Sequence, residues 1–141
     1  MPDDYAGMAA VSSSSRIPIA AGENEYTRYG FRDIIEHHSA SILNPDAQFV
    51  GGVTEFMKVC ALAQAHDLPI APHGSPEIHI QLAAAAPNAF LIEMARVPGD
   101  AIWGMFFPRR PVLTDGCIKV PSELGFGIEP DEEALAAHRA L

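Results

Sequence analysis

The stretch Leu68-Pro69-Ile70-Ala71-Pro72-His73 is a short apolar run that ends in an ionisable residue. Three other stretches have the same form. Ile17-Pro18-Ile19-Ala20-Ala21-Gly22 leads into Glu23, Ser41-Ile42-Leu43-Asn44-Pro45 into Asp46, and Ala89-Phe90-Leu91-Ile92 into Glu93. Segments with helical periodicity lie between them: Phe31, Ile34 and Ile35 share one face, as do Phe56, Val59, Cys60 and Ala63. Strands that alternate with helices imply a parallel sheet. Parallel strands place all their C-terminal ends on one side, so Glu23, Asp46, His73 and Glu93 are expected to converge there, as functional groups do in a β/α barrel.

The expected fold class is therefore α/β: a partial (β/α) barrel of about four strand-helix units, with a C-terminal hairpin and helix. A length of 141 residues suits one domain with a sizeable core, whereas a full eightfold barrel needs about 250 residues. Strands are expected over 17–21, 40–43, 68–71 and 88–92. Helices are expected from an Asp3 or Asp4 cap to Val11, from a Thr27 cap to His38, from a Thr54 cap to His66, and from a Ser75 cap to Ala86 with Pro76 in its first turn. The alternation breaks after Glu93, with an aromatic stretch over 103–107. Asp115-Gly116 between two short β-rich runs signals a hairpin, and 130–141 reads as a terminal helix with acids in its first turn.

Composition narrows the function. The net charge of −9 argues against nucleic acid or an anionic membrane as the main partner. A small anionic substrate stays compatible where a metal ion or local cation supplies positive charge. No apolar run approaches the length of a membrane span, and Met1-Pro2-Asp3-Asp4 does not open a signal peptide. Cys60 and Cys117 form neither a disulfide framework nor a C-x-x-C pair, which fits a reducing cytoplasm. Cys60 falls on the apolar face of its helix and reads as core.

Asp46 and His73 are the first chemical pair. A carboxylate bonded to one imidazole nitrogen fixes the tautomer and raises the basicity of the other, giving a general base. The alternatives are an aspartate that caps the Gly51-Gly52 loop and a histidine bonded to backbone. Glu23 has three readings: metal ligand, general acid or surface acid. Glu93, beside Ile92 and Met94, is either a carboxyl in an apolar pocket, able to donate a hydrogen bond, or a salt-bridge partner of Arg96. His79, between Ile78 and Ile80, reads as a half-buried histidine with its hydrogen bonds satisfied, and His37 and His38 as a solvated helix end.

As a set and in order, Gly22-Glu23-Asn24, Pro45-Asp46-Ala47 with Gly51-Gly52-Val53-Thr54, Ala71-Pro72-His73-Gly74 and Ile92-Glu93 resemble the C-terminal part of an enolase-superfamily enzyme. The subgroup is mandelate racemase-like and, within it, acid-sugar dehydratase-like. The ending Leu124-Gly125-Phe126-Gly127-Ile128-Glu129 resembles the loop that closes such proteins. The resemblance implies that Glu23 is a Mg²⁺ ligand, that Asp46 and His73 move the α-proton of a carboxylate substrate, and that Glu93 hydrogen-bonds the substrate carboxylate as it becomes an enediolate. Dehydration of an acid sugar is the implied activity, and racemisation or epimerisation of a 2-hydroxy acid is its nearest alternative. The family pattern also has two further metal ligands, a Lys-x-Lys pair on earlier strands and an N-terminal capping domain. None of these is found in the 141 residues, whose lysines are Lys58 and Lys119. The expectation is thus one C-terminal half of a barrel domain over residues 1–141, weak or absent Mg²⁺ binding, and impaired turnover by this chain alone. Half a barrel has two open strand edges, so a self-associating, non-catalytic fragment is the reading from a different class.

Overall fold

The computed structural model describes residues 3–94, 101–109 and 111–139. Helix α1 (Tyr5–Ser14) begins at Asp4, whose side chain accepts a hydrogen bond from the Gly7 amide. Strand β1 (Ala20–Ala21) follows, then α2 (Thr27–Glu36), β2 (Ile42–Leu43), the single turn α3 (Ala47–Val50), α4 (Val53–Ala65) and α5 (Pro76–Ala85). After α5 come α6 (Ala101–Phe106), the hairpin β3 (Leu113–Thr114) and β4 (Cys117–Ile118), and α7 (Glu132–Ala137).

The parallel sheet is real but short. Ala20 pairs with Ile42 and Ala21 with Leu43, both parallel. Leu43 then bridges to Ile70, and Ile70 to Ala89, again parallel. Four extended segments thus lie side by side in chain order, and among the described residues the row does not close into a barrel. Proline accounts for part of the shortfall against the expected strands. Pro69 and Pro72 flank the third segment and have no N–H to donate, which leaves Ile70 as its paired residue. Its amide donates to the Asn88 carbonyl at 2.9 Å, and its carbonyl accepts from the Phe90 amide at 3.2 Å.

The core lies between the sheet and the helices that cover it. Phe31 and Ile34 of α2, Phe56 and Val59 of α4, and Leu43 and Ile70 of the sheet are fully buried. Each such side chain contributes roughly 1.5–3 kcal/mol by leaving water. Cys60 belongs to this core, as expected, and burial pushes its thiol up to about 12. His37 and His38 are exposed at the end of α2.

Two expected caps are corrected. Thr27 is the first residue of α2, with a φ of +57°, and not its cap. A carboxylate from another helix holds that end instead: Glu55 accepts from the Arg28 amide at 3.0 Å and from the Arg28 guanidinium at 2.7 Å. Helix α4 starts at Val53 behind Gly52, so Thr54 lies inside it. Ser75 holds the N-cap position of α5 before Pro76, as expected, but in the left-handed region at φ +36° and without a side-chain capping bond; its hydroxyl accepts from the Gln48 side-chain amide at 2.6 Å. The Asp115-Gly116 hairpin forms where expected, with both turn residues at positive φ. The terminal helix is shorter than expected and starts at an Asp131 cap, whose side chain accepts from the Ala134 amide at 2.9 Å.

Candidate functional site

Each expected site residue follows the end of one of the four extended segments, and all four lie on the same side of the sheet. Backbone hydrogen bonds carry the parallel row past its last paired residues. The Asn44 amide donates to the Ala21 carbonyl at 2.9 Å, the His73 amide to the Pro45 carbonyl at 3.1 Å, and the Glu93 amide to the Pro72 carbonyl at 3.4 Å. Gly22 permits the first exit: its φ is +121°, and a Cβ there would collide with the Phe31 ring.

His73 is the centre of the group. Its Nδ1 lies 3.1 Å from Asp46 Oδ2 and its Nε2 lies 3.4 Å from Glu23 Oε2. Glu93 Oε2 accepts from the neighbouring Gly74 amide at 3.2 Å. The Asp46 side chain is 3% exposed, that of His73 33% and that of Glu23 52%, so the cluster passes from interior to solvent. Burial alone would lower the His73 pKa. The bond from Asp46 and the negative charges of Glu23, Glu93 and Asp46 outweigh it and raise the pKa.

Asp46 caps the turn that precedes the Gly51-Gly52 loop and also faces His73. Its Oδ1 accepts from the Gln48 amide at 2.8 Å, capping α3, and its Oδ2 faces His73. With one oxygen fixed by backbone, the other has a fixed direction. An Nδ1–H donated to Asp46 leaves Nε2 as the basic nitrogen, on the edge of the ring that faces Glu23.

Glu93 departs from expectation. It is exposed and does not sit in an apolar pocket, because its carboxylate turns to the Gly74 amide at the rim. Its alternative partner, Arg96, lies outside the described residues. An apolar recess of about 460 Å³ lies between the fourth segment and the hairpin, lined by residues such as Phe90, Leu91, Leu113 and Cys117. None of the four cluster residues lines it. A smaller recess of about 230 Å³ lies beside Glu23, between Ala21 and Asn44.

The described residues do not complete a Mg²⁺ site. This ion prefers six oxygens in octahedral array. Glu23 brings one carboxylate, its near neighbour in the cluster is an imidazole nitrogen, and no group of three or more His, Cys, Asp or Glu among the described residues could hold a metal ion.

His79 is the residue whose place the sequence understated. It is fully buried, its Nε2 accepts from the Ala47 amide at 2.9 Å, and its Nδ1 lies 2.8 Å from the Gly74 carbonyl. Its position six residues after His73, one turn into a helix that starts at the cluster, was the available signal.

Residues 1–134 match the family model described as enolase C-terminal domain-like. L-rhamnonate dehydratase from Saccharopolyspora erythraea is 34% identical over 140 residues, covering 94% of this chain and 36% of the relative. The 3,6-anhydro-alpha-L-galactonate cycloisomerase of Streptomyces coelicolor is 32% identical over 135 residues, covering 96% of this chain and 36% of that protein. Among solved structures, L-talarate dehydratase from Polaromonas sp. JS666, complexed with Mg and L-glucarate, superimposes with a TM-score of 0.82 at 33% identity. That match covers 96% of this chain and 37% of the other. The chain thus spans little more than a third of the length of the proteins it resembles. No helix among the described residues is long and apolar enough to cross a membrane. The order of its segments, the cluster at their ends and these matches agree: the chain belongs to the enolase C-terminal domain-like family.

Proposed function

We propose that the cluster is the proton-transfer side of an acid-sugar dehydratase site. In this reading His73 takes the α-proton of a carboxylate substrate through Nε2, and Asp46 holds the ring and stabilises its charged form. The protonated His73 then delivers its proton to the departing β-hydroxyl, so that water leaves and His73 returns to its neutral state. Glu93 hydrogen-bonds the substrate carboxylate. The observation that carries the reading is the 3.1 Å contact between His73 Nδ1 and buried Asp46, with Nε2 on the other edge of the ring, 3.4 Å from the half-exposed Glu23 carboxylate. The relatives named as dehydratases support the substrate class. Racemisation or epimerisation of a 2-hydroxy acid would use the same dyad.

The chain is read as the C-terminal half of a barrel domain, with four strand-helix units. Glu23 is proposed as one carboxylate ligand of a Mg²⁺ ion. Because the described residues fall short of a full ligand set, calorimetry on the 141-residue chain is expected to find Mg²⁺ binding no tighter than millimolar. Micromolar binding would overturn that part of the reading. The same shortage favours the second reading, a fragment that is impaired or inactive alone. Two free cysteines suit a reducing compartment, and the cytoplasm is the proposed location.

The test is exchange of the substrate α-proton for deuterium, followed by NMR with L-rhamnonate and L-glucarate as probes at millimolar Mg²⁺. Exchange is expected to fall by about 10²–10⁴-fold in His73→Asn, the usual contribution of a general base. Equal exchange by His73→Asn and the wild-type chain would sink the assignment of His73. No exchange by the wild-type chain would favour the fragment reading.

A further inference from the structure

Behind the cluster, one histidine ring meets the backbone of the residue that follows each dyad member. His79 stands in the first turn of α5, and Phe56 stacks on it with ring centroids 5.7 Å apart at 26°. The Ala47 amide, 2.9 Å from Nε2, can only donate. Nε2 must therefore present its lone pair, and the ring proton resides on Nδ1. Nδ1 faces the Gly74 carbonyl at 2.8 Å, which can only accept. Two backbone groups thus select a single neutral tautomer. Nε2 also approaches Asp46 Oδ1 to 3.5 Å, but with its lone pair committed to Ala47 this is two acceptors side by side and not an ion pair.

Ala47 directly follows Asp46, and Gly74 directly follows His73. We propose that His79 is the positioning residue of the dyad: as the Nδ1–H tautomer it ties the backbone behind Asp46 to the backbone behind His73 and so sets their hydrogen bond. The inference rests on the dyad reading above for its chemical meaning, but its claim is geometric. Neutrality is part of the device. A protonated His79 would face Asp46 as a second cation and compete with His73 for its carboxylate. Burial pushes the His79 pKa below its ordinary value, and positive charge on His73 adds to this. The Gly74 carbonyl, Asp46 and Glu77 act the other way and are outweighed.

The experiment is long-range ¹H–¹⁵N NMR of the imidazole rings in the full chain, at a pH where both histidines are neutral. The expected spectrum has His79 and His73 both protonated at Nδ1. In His79→Leu, folded by circular dichroism, the His73 shifts should move toward those of free imidazole, which favours Nε2–H. His79→Gln, which keeps an acceptor for Ala47, should move them less. An unmoved His73 signature in either folded variant would overturn the proposal, because a side chain that only fills space would give that result. Wild-type His79 protonated at Nε2 would overturn it without any variant. These spectra are independent of turnover: equal α-proton exchange by His73→Asn and the wild-type chain sinks the chemical reading alone, and an unmoved His73 tautomer sinks the role of His79 alone.

Discussion

At the scale of single residues, Asp46 illustrates how one side chain serves fold and site together. A capping aspartate and a dyad aspartate looked like alternatives in the sequence, since each reading claims the same carboxylate. In the fold one oxygen accepts from the Gln48 amide and the other faces His73 Nδ1. The two cysteines differ as sharply. Cys60 is buried with its thiol pushed up to about 12, whereas Cys117 is exposed in the hairpin. Because the thiolate is the reactive form, iodoacetamide at neutral pH is expected to label Cys117 in the native chain and Cys60 only after unfolding. Mass spectrometry reads the result, and rapid native labelling of Cys60 would contradict the packing of α4. The position of Cys60 could be read from helical spacing alone. For His79 the sequence shows burial and satisfied nitrogens, but an isolated histidine between two isoleucines gives no hint of which backbone groups those nitrogens meet.

At the scale of elements, the start of α2 depends on α4. Glu55 accepts from the Arg28 amide and pairs with the Arg28 guanidinium and with Lys58. The backbone bond from Arg28, helped by Lys58 and the guanidinium, lowers its pKa from 4.5 to about 2. A carboxylate with a depressed folded pKa adds stability above its unfolded pKa and loses it as pH falls toward the folded value. The α2–α4 clamp should therefore weaken as the pH falls from 4.5 toward 2. In Glu55→Gln, thermal unfolding should occur at lower temperature at neutral pH, with the difference from wild type shrinking across that acid window. A difference that does not change with pH would disprove the clamp. Thr27 and Thr54 were plausible caps by residue type, yet neither caps its helix. A capping preference is a local tendency: at α2 a carboxylate delivered by a neighbouring helix holds the end, and α4 begins behind Gly52, before Thr54.

At the scale of the whole molecule, the parallel row has two open sides. β1 pairs only with β2 among the described residues, and the Ala89 segment only with the Ile70 segment. Ile17 is 75% exposed, Phe90 53% and Leu91 59%, all on or beside these outer segments. Unpaired strand edges beside exposed apolar side chains favour association. We propose that the isolated chain self-associates. Light scattering after size-exclusion chromatography at low concentration should give a mass above that of one chain, and a stable compact monomer would exclude the idea. Salt should have little effect if the contact is apolar, since screening acts on charges.

Read along the chain, the residues specify the alternation of strand and helix, the parallel sense that alternation requires, and the four residues at the strand exits. These follow from periodicity and connection length, which are local. Only the tertiary structure decided that His73 stands between Asp46 and Glu23, that Glu93 turns to an amide at the rim, and that His79 lies beneath the pair. Those facts depend on contacts between residues far apart in the chain, and the pattern along a single strand or helix carries no record of which nitrogen will meet which oxygen.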